Sequence, residues 1–359
     1  MKKYDVCIIG GGAAGLAAAA SLDNGIKICL IEKNKIPGRK IMATGGGRCN
    51  ITNIACETKD MTLDFFKSLG LETYCDEEGR YYPYSNRAGD VVRVLTDAVS
   101  RKNICIETSV QAERIDMAED GFLVRYEKNE RLLSDNIILA TGGKAAPHFG
   151  STGDGYTFAR AFGHRIERVY PILTAVECGD FMDISGIRAR GAVSLYRDEK
   201  MIAEETGEIQ FTSDGISGIC VFNLTPHIKT EKGESIADAL KRYRIKADLA
   251  PDFTAEEIKK RSSSFGILTE KLASRVPLED IKNWQLPVLG VKGWKNAQCT
   301  AGGVSVDEID TDTMESEIVS GLYFAGEIID RQGPCGGFNL QNAWETGIRA
   351  ARAINGKMR

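Results

Sequence analysis

Three glycines near the start of the chain have the spacing of a dinucleotide-binding turn. Gly10, Gly12 and Gly15 form GxGxxG between the strand-like segment YDVCII and an alanine-rich segment predicted to be helical. Such glycines let the backbone turn tightly and approach a pyrophosphate, which binds at the positive N-terminus of the helix. Glu32 closes the next predicted strand, where a carboxylate accepts hydrogen bonds from ribose hydroxyls. The sequence therefore predicts a dinucleotide site, with a purely structural glycine turn as the alternative.

Two later segments favour FAD over NAD. In ILATGG, at 138–143, a strand runs into a Thr-Gly-Gly turn, where backbone can pass close to the dinucleotide or where the glycines simply pack a strand end. In GLYFAGE, at 321–327, a strand ends in Gly-Glu, and a helix follows behind the glycine pair 336–337. A helix N-terminus directed at the pyrimidine edge of a flavin would stabilise the negative charge that develops there on reduction. A glycine turn capped by Asn339 is the alternative.

A glycine-rich segment at 38–53, GRKIMATGGGRCNITN, is predicted to be a loop. Gly45-Gly46-Gly47 would allow backbone N–H groups to face a planar ligand, and Arg48 adds a positive charge. Arg48 could instead be a surface ion-pair partner.

The residues that could carry acid–base or thiol chemistry give no assignment. A second strand–GxGxxG–helix unit and a CxxC pair are both absent from the sequence, which argues against a dedicated NAD(P)H domain and against a disulfide reductase. Cys49 and Cys335 fall in loops predicted to border the flavin, but a buried, reduced thiol is the favoured interpretation. His148 could donate a proton or lie on the surface, His164 is predicted to be structural, and core packing is favoured for the tyrosines at 81, 82 and 84.

The elements that position these residues indicate an α/β fold. We predict a discontinuous Rossmann-like FAD-binding domain at 1–165 and 305–359, a β-rich, barrel-like insertion at 166–247 and 293–304, and a small helical subdomain at 248–292. A single strand is predicted at 104–113, and irregular structure at 280–287.

The composition argues against a flexible linker, a protein with a general attraction for nucleic acid or membranes, and a disulfide-stabilised protein. Glycine accounts for 38 of 359 residues but proline for only 9, so the glycine excess is not linker composition. The net charge of −4 gives no general attraction for nucleic acid or anionic membrane. Ten scattered cysteines without metal-ligand spacing favour reduced thiols, and we expect a cytoplasmic protein without a bound metal.

The motifs at 38–53, GSTGDGY at 150–156, GISG at 215–218, TAGGV at 300–304 and GPCGGFNLQNAW at 333–344 resemble the BaiN-like flavoprotein family, the aminoacetone-oxidase-like FAD-binding proteins. The resemblance covers essentially the whole chain. It implies that Glu32 binds the adenosine ribose, that Arg39 and Lys40 lie near the cofactor, that 44–50 wraps the flavin and that Val110 brackets adenine. The helical subdomain is shorter than in typical members, so the resemblance does not define the substrate pocket.

These arguments assign a set of residues to the cofactor site: Gly10, Gly12, Ala13, Ala14, Gly15, Glu32, Lys33, Arg39, Lys40, Thr44, Gly45, Gly46, Gly47, Arg48, Cys49, Asn50, Val110, Ala140, Thr141, Gly142, Gly143, Gly326, Glu327, Asp330, Gly337, Phe338, Asn339, Leu340 and Gln341.

The expected function is a FAD-dependent oxidoreductase acting on a small molecule, with hydride transfer through flavin N5 and with NADH or NADPH as a possible transient donor. The resemblance implies reduction of an enone-type double bond, as in a 3-oxo-4-ene steroid, or oxidation of a small amine. An RNA-modifying flavoprotein and a non-catalytic redox sensor stay open as alternatives, and the sequence assigns no oligomeric state.

Overall fold

A computed structural model describes residues 1–127, 130–231 and 233–359. The chain forms two compact units, one made of Met1–Tyr170 with Cys299–Arg359 and the other of Pro171–Gln298. The first unit is therefore built from both ends of the chain.

The helices are α1 (Ala13–Ser21), α2 (Arg39–Ala43), α3 (Lys59–Ser68), α4 (Ala88–Ser100), α5 (Gly155–Ala161), α6 (Ile219–Leu224), α7 (Ile236–Lys241), α8 (Ala255–Lys259), α9 (Glu270–Arg275) and α10 (Phe338–Met358). The strands are β1 (Lys2–Ile9), β2 (Ile28–Glu32), β3 (Thr52–Asn53), β4 (Thr73–Cys75), β5 (Arg80–Pro83), β6 (Ile104–Thr108), β7 (Ala112–Ala118), β8 (Gly121–Tyr126), β9 (Glu130–Leu139), β10 (Tyr170–Ile172), β11 (Val176–Glu177), β12 (Arg188–Arg197), β13 (Lys200–Thr212), β14 (Gly215–Ser217), β15 (Tyr243–Asp248), β16 (Trp284–Pro287), β17 (Gly290–Val291), β18 (Cys299–Ala301) and β19 (Leu322–Phe324).

The main sheet of the first unit has the strand order of a Rossmann fold. Strands β6, β2, β1, β9 and β19 lie side by side, and every neighbouring pair among them is parallel. The order corresponds to 3-2-1-4-5 of a doubly wound sheet, in which ligands bind where the order reverses, beyond the carboxyl ends of the strands. The reversal falls between β1 and β9. Strands β7 and β8 form an antiparallel hairpin on the first half of β9.

The central strands are apolar because both of their faces are covered. The last four residues of β1 and all of β2 are largely buried, as expected for parallel strands between helical layers. Helices α1 and α10 cross closely, since a Cβ on Gly347 would lie 2.3 Å from the carbonyl oxygen of Ala14. The terminal helix is thereby packed on the first turn of α1.

The second unit is organised around a seven-stranded antiparallel sheet, in the order β16-β15-β12-β13-β14-β11-β17. Its inward side chains, among them Val193, Ile209 and Ile245, are fully buried in a core of their own. These two units confirm the predicted α/β fold with a Rossmann-like domain and a β-rich insertion. The separate helical subdomain at 248–292 stays a prediction.

Three local predictions were wrong. The segment 38–53, expected to be a loop, contains helix α2 and strand β3, because its glycines are confined to position 38, before α2, and to 45–47, after it. The strand expected over 104–113 is split, because Ser109 adopts a φ of 58° that turns the chain from β6 into the hairpin strand β7. The irregular segment expected at 280–287 contains β16, which is ordered by antiparallel pairing with β15, some forty positions earlier in the chain.

None of the helices in the described ranges combines the length and hydrophobicity needed to cross a bilayer.

The substitution Gly15→Ala tests the close contact between α1 and the glycine turn that follows β1. Its Cβ would lie 1.9 Å from the carbonyl oxygen of Gly10, so we expect a loss of about 1–3 kcal/mol or more in the free energy of unfolding. Gly89→Ala is the matched control, because a Cβ there meets no atom within 4 Å on α4. Denaturant unfolding measures both, and equal stability of the two variants would contradict the packing argument.

Candidate functional site

The GxGxxG turn lies at the point where the strand order reverses. Gly10 directly follows β1 with a φ of 106°, and a Cβ on it would lie 2.4 Å from the carbonyl oxygen of Ala140, which directly follows β9. Gly12 is the N-cap of α1 and makes no side-chain capping bond, so the N–H groups of the first turn, from Ala13 and Ala14 onward, are available to a ligand. A Cβ on Gly12 would meet no protein atom within 4 Å, which leaves room for a phosphate.

Glu32 stands beside this turn, 6% exposed. One carboxylate oxygen accepts from the backbone N–H of Gly11 at 2.8 Å, and the other accepts from the backbone and side-chain amides of Asn34 at 2.7 Å. A carboxylate has about four acceptor positions, so capacity for a hydroxyl donor remains. Val110 donates its N–H to the backbone carbonyl of Glu32 at 3.1 Å and therefore flanks the same position.

The two basic residues around Glu32 are already engaged. Lys33 donates to Thr152 at 2.7 Å and forms an ion pair with Asp154 at 2.8 Å. Arg39 donates to the side-chain oxygen of Asn34 at 3.0 Å. Both side chains are thus held near the turn by bonds to other groups of the protein.

The glycine loop consists of Thr44–Gly47 and continues through Arg48 and Cys49 to Asn50. Gly45, Gly46 and Gly47 have φ values of 57°, 64° and 87°, a left-handed run that favours glycine. Gly45–Arg48 are exposed, and Cβ atoms on Gly46 and Gly47 would meet no protein atom within 4 Å. The loop therefore presents bare backbone to solvent, and its contact with a planar ligand stays a prediction.

The N-terminus of α10 lies against the end of the glycine loop. A Cβ on Gly337 would lie 2.8 Å from the side-chain oxygen of Asn50, and Gly337 caps α10 without a side-chain bond. The Asn50 oxygen is buried and has no hydrogen-bond partner among the described residues. A buried, unpaired acceptor is costly unless a donor completes it, which fits an incoming ligand N–H.

The first turn of α10 is fixed by its own contacts. Asn339 accepts from the backbone N–H of Gly333 at 2.9 Å and donates to the carbonyl oxygens of Gly333 and Pro334. Gln341 is buried, accepts from the Thr52 hydroxyl at 2.6 Å and donates to Thr58. Phe338 and Leu340 are half-buried between them. Asn339 and Gln341 therefore hold the preceding loop and β3 in place.

Lys40 and Glu327 form an ion pair of 2.8 Å, both side chains about a quarter exposed. The second oxygen of Glu327 accepts from the backbone N–H of Thr300 at 2.9 Å, and the Thr300 hydroxyl accepts from the N–H groups of Lys144 and Ala145 at 2.8 and 3.0 Å. Burial alone would lower the pKa of Lys40, but the Glu327 carboxylate more than offsets this and the pKa is raised. Lys40 is therefore a permanent cation.

The same pair constrains the turn after β9. A Cβ on Gly143 would lie 2.4 Å from the Thr300 hydroxyl and 2.7 Å from Glu327. Within that turn, Thr141 and Gly142 are half-buried. Asp330 accepts from the backbone N–H of Gly302 at 3.1 Å, and a Cβ on Gly326 would lie 2.9 Å from the Cβ of Ala14. The three predicted cofactor segments thus meet in one place, at the carboxyl ends of β1, β9 and β19.

Sequence reasoning missed residues that join these segments. Thr300 and Thr52 were assigned no role, although Thr300 opens the TAGGV motif, which was a usable signal. Tyr156 was also missed: its hydroxyl is buried without a hydrogen-bond partner among the described residues, and burial, reinforced by Glu327 and Asp330, raises its pKa. Tyr82 packs behind the glycine loop, with its ring 3.4 Å from the position of a Cβ on Gly45.

Of the two cysteines predicted to border the flavin, Cys49 is buried and Cys335 is half-buried in the segment before α10. Burial raises the pKa of the Cys49 thiol to about 12, so it stays protonated near neutral pH. His164 is buried against Ser316 and Glu308, at 2.8 and 3.2 Å. His148 is exposed and contacts the ring of Phe149. No cluster of potential metal ligands occurs among the described residues.

These features fit the chemical groups of FAD. The glycine turn, the uncapped first turn of α1 and Glu32 suit the adenosine and pyrophosphate. The exposed glycine loop, the unpaired Asn50 oxygen and the uncapped N-terminus of α10 suit a planar ring with N–H donors and a developing negative charge. The residue-by-residue assignment to the cofactor stays a prediction.

Removing Lys40 tests the ion pair between the two halves of this unit. We expect Lys40→Met to cost about 1–3 kcal/mol in the free energy of unfolding, because a partly buried Glu327 carboxylate loses its charged partner. Lys241→Met is the control, since Lys241 and Asp238 are 74% and 63% exposed and such pairs contribute at most about 1 kcal/mol. Chemical denaturation of both variants measures the difference, and a cost no larger than that of the control would refute the structural importance of the pair.

Comparison with known proteins places these features in a family. A family model described as "HI0933-like protein Rossmann domain" matches residues 4–63 and 57–353. The chain is 34% identical to a 3-dehydro-bile acid delta(4,6)-reductase of Clostridium scindens, over 96% of this chain and 98% of that protein. It is 25% identical to a ribosomal RNA dihydrouridine synthase of Escherichia coli, over 99% and 98% of the two chains.

Among solved structures, the Sdh1 complex of Mycobacterium smegmatis in its apo form is similar in fold. The TM-score is 0.51 at 18% identity, covering 100% of this chain and 69% of that chain. The family model and the relative from Clostridium scindens each span nearly the whole chain. The chain therefore belongs to the HI0933-like Rossmann family, the BaiN-like flavoprotein family that its motifs resemble, and it is an oxidoreductase.

Proposed function

We propose that this protein is a FAD-dependent reductase that adds two hydrogens across a carbon–carbon double bond conjugated with a carbonyl group. The observation that carries the proposal is the 34% identity to a 3-dehydro-bile acid delta(4,6)-reductase over 96% of the chain. In that substrate class, a ring ketone activates the neighbouring double bonds toward hydride. The site geometry supports the cofactor part of the proposal, and the relative supports the reaction.

FAD, when bound, supplies a hydride from N5 of its reduced ring. The chain's own groups would bind and orient it. The first-turn N–H groups of α1 would hold the pyrophosphate, and Glu32 would accept from the ribose hydroxyls. The Asn50 side-chain oxygen would accept a ring N–H, and the N-terminus of α10 would stabilise negative charge on the pyrimidine edge. We further propose NADH or NADPH as a transient donor and a cytoplasmic location.

The two types of relative point to a common reaction. Dihydrouridine differs from uridine by two hydrogens on a ring double bond conjugated with a carbonyl, and the bile acid double bonds are conjugated with the 3-oxo group. Both reactions add a hydride to the carbon remote from the carbonyl and a proton nearer to it. The substrate feature common to both is a ring double bond conjugated with a carbonyl group, and a steroid is the favoured example.

RNA modification is the second candidate, since the Escherichia coli relative is a ribosomal RNA dihydrouridine synthase. An RNA-binding surface needs cations that are free to contact phosphates. The basic run at 241–244 does not offer them: Lys241 pairs with Asp238, Arg242 with Asp198 and Glu231, and Arg244 with Glu199. A second basic run, at 259–261, forms no ion pair among the described residues. The neutralisation therefore argues against RNA contact at 241–244, and the half-reactions below decide between the two candidates.

The substitution Gly12→Ser tests the cofactor part of the proposal. Gly12 has a φ of −81°, which serine readily adopts, and its Cβ position is clear of protein atoms. The added side chain would cap the N–H groups that the pyrophosphate needs, so the apoprotein keeps its stability but binds FAD at least about ten-fold more weakly. Fluorescence titration of apoprotein with FAD measures this, with Gly25→Ser as the control in open space. Unchanged FAD affinity would contradict the assignment of this turn.

The reaction is tested by anaerobic half-reactions. The bound flavin is reduced with NADH or NADPH and then mixed with a 3-oxo-4-ene steroid, the matched saturated 3-ketone, a quinone, or an unmodified ribosomal RNA. We expect the enone to reoxidise the flavin with loss of one double bond per flavin, and the saturated ketone to be inert. Reoxidation by RNA alone would favour the second candidate, whereas reoxidation by the quinone alone would refute double-bond reduction.

A further inference from the structure

Arg48 is an exposed cation held in place by an aromatic ring. Its guanidinium carbon lies 4.3 Å from the centre of the Tyr82 ring. Its polar contacts are weak: Nη2 reaches the Tyr82 hydroxyl and Nε reaches the carbonyl oxygen of Gly45, each at 3.4 Å. The contact with the ring holds the guanidinium over Tyr82 and leaves most of its N–H donors unused.

Arg48 also lacks an acidic partner, in contrast to nearby cations. Among the described residues, no carboxylate lies within ion-pair distance of its guanidinium, whereas Arg80, on the neighbouring strand β5, pairs with Asp76 at 3.2 Å. Lys40, on the preceding helix α2, pairs with Glu327. A positioned cation without a counter-charge attracts a ligand with an electron-rich oxygen.

The position of Arg48 relates it to the proposed flavin surface. It directly follows Gly45–Gly47, the exposed backbone that we assign to the flavin ring, and Tyr82 packs behind Gly45. The guanidinium therefore lies at the border of that surface and on the solvent side of the protein core. A substrate resting on the ring would come within its reach.

An aromatic surface extends outward from this point. We call Tyr74, Tyr82 and Tyr84 the tyrosine wall. The ring centres of Tyr74 and Tyr82 are 6.0 Å apart, those of Tyr74 and Tyr84 are 6.2 Å apart, and Tyr84 is 74% exposed. Tyr82 itself is only 1% exposed, so the surface that a ligand can reach consists of Tyr84 and the half-buried Tyr74, with Tyr82 joining them to Arg48. An aromatic surface near a cation suits a flat, largely apolar molecule that carries one carbonyl group.

We propose that Arg48 is a catalytic residue that binds the carbonyl oxygen of the substrate, with the tyrosine wall receiving its apolar body. This inference rests on the proposed function and adds to it the group that activates the substrate. The substrate's remote alkene carbon gains a hydride from the reduced cofactor, the π electrons move to the carbonyl oxygen, and an enolate forms. A solvent proton then bonds to the carbon beside the carbonyl, giving the saturated ketone and the oxidised cofactor.

A guanidinium suits this step because its charge is permanent and its donors are planar. Negative charge on the oxygen is larger in the enolate than in the ketone, so a fixed cation lowers the barrier more than it strengthens ground-state binding. A lysine at the same place would keep the charge but lose the planar stacking on Tyr82.

The first test compares Arg48→Gln, Arg48→Lys and the surface control Arg93→Gln, whose side chain is 79% exposed on α4. We expect Arg48→Gln to slow reoxidation of the reduced enzyme by the enone about 10²–10³-fold, the cost of losing one oxyanion donor. Arg48→Lys should be intermediate and Arg93→Gln unchanged. The FAD dissociation constant and the rate of flavin reduction should be the same in all four proteins.

A second test reads binding without turnover. A phenolic A-ring steroid resembles the enolate, and its binding to the oxidised holoenzyme is followed by the change in the flavin spectrum. We expect Arg48 to lower the pKa of the bound phenol below its ordinary value near 10, and Arg48→Gln to restore that pKa and to weaken binding at least about ten-fold.

The outcomes separate the inference from the proposed function. If the enone reoxidises wild-type and Arg48→Gln enzymes equally fast, the function stands and the role of Arg48 is refuted. If Arg48→Gln instead loses FAD, Arg48 binds the cofactor and the proposal is overturned. If no enone reoxidises the wild type, the proposed function fails, and an unchanged phenol pKa in Arg48→Gln refutes the oxygen-binding role as well.

Discussion

The site depends on how closely three backbone segments approach one another at the carboxyl ends of β1 and β9. Gly10 leaves no room for a Cβ against Ala140, and Gly15 leaves none against Gly10. Side chains at these positions would separate the strand ends and tilt α1 away from the turn. The open position at Gly12 exists because its neighbours are packed this tightly, and the same contact directs the first turn of α1 into the crevice.

The sequence predicted the parts of this arrangement that are local. GxGxxG and the glycine run at 45–47 reflect conformations that the backbone must adopt, and the acid at Glu32 follows from its place at the end of a predicted strand. All three can therefore be recognised from residue types and spacing. The sequence could not show which distant side chains complete the site. Lys40 and Glu327 are 287 positions apart, and neither has a local pattern that announces the other. Thr300 was missed because its role is set entirely by tertiary neighbours on both sides.

The same distinction explains the errors in the elements. The segment 104–113 has the composition of one strand, but the left-handed turn at Ser109 is a choice that tertiary pairing imposes on a residue without a strong local preference. Strand β16 is short and lies at a sheet edge, so its order comes from β15 and not from its own periodicity. Arg48 was recognised as a cation beside the glycine loop, whereas its stacking on Tyr82 required the pairing of β3, β4 and β5.

The construction of the first unit from both ends of the chain also has a consequence for biosynthesis. Strand β19, Glu327 and the N-terminus of α10 are synthesised some 270 or more positions after Lys40, Asn50 and the first turn of α1, which pack against them. The amino-terminal βαβ segment is therefore synthesised long before β19 and α10, which complete the candidate site. Until α10 has been synthesised, the glycine loop lacks the helix that packs against it, so the parts of the candidate site come together late in folding.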